Sequence, residues 1–122
     1  MIKIAEGKIS DLQKQIKSNL ARAASIGIEA RKAILAPEVA LYCAAIVTEV
    51  TDSIIDIKEI VDWLDSSQNS PQLTQAIAVS TFARLDQRIK HNIDLLNQAT
   101  RVIDGDIDIW GRPAPRGGLW DK

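Results

Sequence analysis

One cysteine, Cys43, stands in 122 residues, so no disulfide within the chain staples the fold. The apolar spacing around Cys43 marks it as a small buried hydrophobe. One histidine, His91, leaves no Glu-x-x-His pair of the kind that holds metals between facing helices. With so few candidate nucleophiles and bases, no nucleophile, base and orienting group can be named together, and no catalytic residue follows. Aromatic residues make up only 4% of the chain, so any core is aliphatic. The net charge is −1, which provides no overall field to draw in nucleic acid or an anionic membrane. No apolar run approaches the roughly 18 residues of a membrane span; the best, Leu41 to Val47, is far too short. The opening Met1 to Gly7 has no apolar stretch after its lysine, which argues against a secretory signal. The glycine-containing segments Gly105 to Asp108 and Gly111 to Gly118 lack phosphate-loop spacing. No cofactor, metal or small-molecule substrate is implied.

What is present is ordinary for a folded domain. The apolar fraction of 46% and charged fraction of 25% argue against wholesale disorder, and the length suits one domain. Three long segments repeat their apolar side chains at steps of three and four. In the first, Ile9, Leu12, Ile16, Leu20, Ala23, Gly27, Ala30 and Ile34 form the stripe. Ser10 with Gln13 offers a capping box, and Gly27 marks a kink or break. In the second, the stripe is Val39, Cys43, Ile46, Val50, Ile54, Ile57, Val61 and Leu64. This segment is rich in β-branched residues, which favour strand. No glycine or proline falls between Glu38 and Ser70, however, so two strands would lack a turn between them. The third begins after a polar loop, with Ser70 as cap and Pro71 in the first turn. Its stripe is Leu73, Ile77, Thr81, Leu85, Ile89, Ile93, Leu96, Thr100 and Ile103.

The fold expected is therefore all-α: an elongated antiparallel three-helix bundle over residues 1–104, with helices at about 8–35, 38–65 and 71–104. The wide apolar face of the second helix exceeds what two partners in the chain can cover, a pointer to self-association. Charge is segregated along the chain: +4 over residues 1–37, −6 over 38–70 and +1 over 71–104. Opposite charge on the first two helices would favour their pairing. The acidic row Glu49, Asp52, Asp56 and Glu59 reads as a solvated edge, and His91 as a surface residue.

Residues 105–122 form an extended C-terminal tail containing Trp110, Trp120, Pro113, Pro115, Arg112 and Arg116. Asp106 to Trp110 alternates with period two, as a short strand does. Trp and Arg are enriched at the energetic centres of interfaces. The tail thus reads as a docking arm whose partner-binding residues are Ile107, Ile109, Trp110, Arg112, Pro113, Pro115, Arg116, Leu119 and Trp120. The competing reading folds the arm back, with Trp110 plugging the bundle's own end. Aspartates at 106, 108 and 121 offset the arginines and argue against nucleic acid.

The functional expectation is a non-enzymatic structural or assembly protein. It would be a subunit of a multi-copy complex, in the cytoplasm or in an assembled particle such as a phage virion, that clasps neighbouring copies or a larger assembly through its arm. The alternative is a soluble helical binding module, such as a secretion chaperone, an immunity protein or an antitoxin-like regulator, that uses its helix faces.

Overall fold

The computed structural model describes residue 4, residues 7–32 and residues 36–113. Three helices account for most of them: α1 (Lys8–Lys32), α2 (Pro37–Ser66) and α3 (Gln75–Ile103). Each is roughly 40 Å long at about 1.5 Å per residue, so the bundle is elongated. Contacts between named residues establish the directions. Lys8 reaches Asp86 and Arg22 reaches Asn97, so α1 and α3 run parallel. Tyr42 reaches Gln98 and Ser53 reaches Asn92, so α2 runs antiparallel to α3. All three helices pack on one another.

The buried row of α2 is Val39, Cys43, Ile46, Val50, Ile54, Ile57, Val61 and Leu64, the row its spacing predicts. Pro37 stands in the first turn, where a missing N–H costs nothing. The helix is unbroken to Ser66 despite its β-branched residues; continuous burial against two neighbours outweighs the local preference for strand.

The rows of α1 and α3 depart from the predicted stripes. In α1, Leu12, Ile16, Ala23 and Ile26 are buried together with Asn19, whereas Leu20 is 44% exposed. Seven residues bring a helix back to within about 20° of its starting direction, but eight carry it about 80° past. The step from Leu12 to Leu20 therefore leaves the core, and Asn19 takes the inward position. The same shift in α3 buries Ala78 and Asn92 and leaves Ile77 exposed and Ile93 half-buried. Ala99 and Val102 are inside, with Thr100 and Ile103 at the margin. Asn92, 1% exposed, donates from Nδ2 to Ser53 Oγ at 3.1 Å, the partner a buried amide needs.

The starts of α1 and α2 match expectation, whereas the cap of α1 and the start of α3 do not. α1 begins at Lys8, where Asp11 N–H donates to the Gly7 carbonyl at 2.8 Å, so no Ser10–Gln13 box opens the helix. Its predicted end at residues 33–35 lies outside the described residues. The predicted start of α3 at Pro71 with a Ser70 cap is replaced by a start at Gln75 with Thr74 as cap, whose Oγ1 accepts from Ile77 N–H at 3.2 Å. The reason lies in Leu73. Its side chain is buried in the core while its N–H turns back to the Ser70 carbonyl at 3.2 Å, so the backbone bends there before the helix begins. Gly27 neither breaks nor ends α1; a methyl group added there would meet Val47 Cγ1 at 3.9 Å, an ordinary contact.

Two outcomes follow. Thr74→Ala should destabilise the protein by about 1 kcal/mol, and Ser70→Ala by clearly less, in urea unfolding monitored by circular dichroism; equal losses would contradict the cap assignment. Gly27→Ala should stabilise by about 0.5–1 kcal/mol, because the unfolded chain loses freedom and the helix gains propensity.

Candidate docking region at the C-terminal end of the bundle

Helix α3 ends in a backbone motif that sends the chain back over the bundle. Gly105, at φ +80°, takes the left-handed conformation that closes many helices. Asp106 N–H donates to the Arg101 carbonyl at 2.9 Å and Gly105 N–H to that of Val102 at 3.1 Å, the paired bonds of a Schellman cap. The returning chain lays Ile107, 3% exposed, against Val39, Cys43 and Val102, with Tyr42, Ile103 and Ile109 around them. This cluster is distinct from the main core. The plug at the bundle's end is thus Ile107. Trp110, the plug of the fold-back reading, is 74% exposed.

A tight turn follows. Asp108 N–H donates to the Arg112 carbonyl at 2.8 Å, and Gly111 N–H returns to the Asp108 carbonyl at 3.0 Å. Gly111 lies at φ +80°, the position where a type I turn passes into a bulged hairpin. One carboxylate holds the loop. Asp108 Oδ1 accepts from Trp110 N–H at 2.9 Å and from Arg112 N–H at 3.0 Å, and Oδ2 accepts from Arg112 Nε at 3.0 Å. Partial burial pulls the Asp108 carboxyl upward, but the backbone donors of Arg112 and Trp110 and the Arg112 guanidinium outweigh it and hold the group below its usual range. The period-two pattern over Asp106 to Trp110 is realised as a single bridge between Ile107 and Pro113. The Asp108-centred turn ends any strand pairing there.

The predicted partner-binding residues are therefore placed as follows. Ile107 is buried within the chain and Ile109 is half-buried, while Trp110, Arg112 and Pro113 are exposed. Pro115, Arg116, Leu119 and Trp120 lie outside the described residues. The residue missed by the sequence reading is Asp108, although Asp108-Ile109-Trp110-Gly111 carries the Asp-first, Gly-fourth signature of a type I turn.

The remaining candidates are plainer. Burial pushes the Cys43 thiol up, which disfavours the reactive thiolate. In the acidic row, Asp56 pairs with Arg88 at 3.6 Å and Glu49 approaches His91 at 3.9 Å. Among the described residues no three of His, Cys, Asp and Glu are placed to hold a metal ion. A shallow cleft between α2 and α3 is lined by Ile60, Trp63, Thr81, Arg84, Leu85 and Arg88. No helix among the described residues is long and apolar enough to cross a membrane.

Comparison with known proteins finds no matching family model, no matching curated protein and no matching solved structure.

The Asp108 geometry has a direct consequence for pH. Its carboxyl titrates lower in the folded turn than in the unfolded chain, where the ordinary value is 3.8. The turn keeps its full stability above that ordinary value and loses it as pH falls through the depressed one. The backbone amide resonances of Trp110 and Arg112 should therefore shift together with a midpoint below 3.8, and Asp108→Asn should abolish that shared titration. A midpoint at or above the ordinary value would contradict the assigned hydrogen bonds.

Proposed function

We propose that this chain is a non-enzymatic assembly protein, a helical subunit of a multi-copy complex that contacts neighbouring subunits through its C-terminal arm. One observation carries the reading: Trp110 stands 74% exposed on a turn clamped by Asp108 and anchored by Ile107. A large aromatic side chain held out in water gains most by entering a partner's pocket. A turn already ordered before contact spares the entropy that a loose tail would lose on docking. The partner is a protein, either another copy or the larger assembly. The setting is the cytoplasm or an assembled particle, with a phage virion as one such particle.

Trp110→Ala tests the arm directly. The side chain supports little of the fold, so helicity and unfolding midpoint should stay within about 0.5 kcal/mol of the parent. Association, read by sedimentation velocity, should weaken at least about 30-fold, as loss of an interface hot spot does. Unchanged association would eliminate the arm reading. Removal of residues 105–122 is a poorer test, because it also strips Ile107 from the bundle's end.

A second reading has its own support. Leu41 and Ile55 are 71% and 52% exposed on α2, which suits a helical binding module, such as a secretion chaperone, an immunity protein or an antitoxin-like regulator, that recognises its partner through that face. In that case alanine at Leu41 and Ile55 abolishes partner binding, while Trp110→Ala leaves it intact.

A further inference from the structure

The segregated charges of α1 and α2 do not neutralise each other inside the chain. Among the described residues, the ion pairs between helices all end on α3: Lys8 with Asp86, Asp56 with Arg88 and Glu49 with His91. What remains are two outward faces of opposite sign. On α1, Lys14, Lys17 and Ile28 are exposed, with small Ala21, Ala24 and Ser25 between them, and Arg31 and Glu29 flank this face on either side. On α2, Asp52, Ile55 and Glu59 are exposed, with Asp62 at the edge of this face paired to Lys58 at 2.8 Å. Neither Lys14 nor Lys17 forms an ion pair among the described residues, and neither do Asp52 and Glu59. The helical repeat shows why. Lys14 and Ile28 lie about opposite the buried row of α1, and Glu59 about opposite that of α2. The centres of the two faces therefore point away from the bundle and cannot meet within one copy; at their margins Lys17 and Asp62 line one cleft between α1 and α2.

We propose that the basic outer face of α1 docks on the acidic outer face of α2 of a second copy. The centre of each face carries one sign of charge, Lys14 and Lys17 on the first and Asp52 and Glu59 on the second, and at least one exposed aliphatic side chain, Ile28 on the first and Ile55 on the second. Complementary potentials align the copies, and the aliphatic side chains leave water as the helices meet. Two copies of the same face repel, so every contact pairs unlike faces, either reciprocally in a two-fold dimer or head to tail. The head-to-tail form repeats from copy to copy and closes into a ring or continues as a filament. The inference rests on the multi-copy part of the proposed function and not on its arm.

The test compares the full-length protein with Lys14→Glu/Lys17→Glu and with Asp52→Lys/Glu59→Lys, all at low ionic strength. Sedimentation is followed over a range of concentrations, and far-ultraviolet circular dichroism checks helicity. All four positions are exposed, so both variants should fold. Each variant alone faces like charge with like and should associate at least about tenfold more weakly than the parent. An equimolar mixture of the two restores opposite signs at every contact and should assemble as the parent does. If each variant alone associates as the parent does, or if the mixture fails to recover, this pairing of faces is wrong, though the multi-copy reading stands. A parent protein that is monomeric at every concentration overturns both.

Discussion

Eight side chains of α2, from Val39 to Leu64, are removed from water along one unbroken row, and both other helices pack against that helix. Each such aliphatic burial contributes about 1.5–3 kcal/mol relative to exposure. A surface ion pair such as Lys58 with Asp62, or Lys8 with Asp86, contributes about 0–1 kcal/mol. The apolar row of α2 therefore decides how the bundle forms, and the charges decide only which faces are left for other molecules. This ordering explains why the acidic second helix and the basic first helix lie side by side without exchanging ion pairs among the described residues. Packing chose the rotation of each helix, and the charged side chains followed it outward.

The same ordering explains which parts of the fold were legible. Every inward position of α2 is held by an aliphatic residue or cysteine, so a hydrophobic pattern finds all of them. In α1 and α3 the inward positions outside the predicted stripes include Asn19, Asn92, Ala78 and Ala99. These are polar or small, and a pattern that seeks large apolar residues steps past them to Leu20, Ile77 and Ile93. The start of α3 was misplaced for a similar reason. Ser70-Pro71 is a strong local signal, but Leu73 is drawn into the core, and tertiary packing overrode the local preference. At the candidate docking region, composition marked the tail, whereas the exchange of roles between Ile107 and Trp110 was invisible. Both are large and apolar, and only the path of the chain after Gly105 decides which one faces the bundle.

Asn92 has a further consequence. A buried amide that hydrogen-bonds Ser53 loses that partner if α2 slides along α3 or turns about its axis. An unsatisfied buried polar group costs about 1–3 kcal/mol. A purely aliphatic seam between two long helices tolerates slippage far better. A polar residue on such a seam serves register more than raw stability, as in coiled coils.

Register matters at the far end of the bundle, because the display of Trp110 depends on it. Ile107 seats only if Val39 and Cys43 from α2 and Val102 from α3 stand at the same level. The Asp108 turn begins at the next residue, so Trp110 is placed by a chain of short-range contacts and not by a flexible linker. The end cluster is separate from the main core, joined to it through Tyr42 and Ile103. It can therefore open without unfolding the rest of the bundle. Under the proposed arm contact, a partner gripping Trp110 on its ordered turn would bind the seated form alone and would share its binding energy with the packing of Ile107. Contact at the arm and order at the end of the helices would then be two readings of one equilibrium.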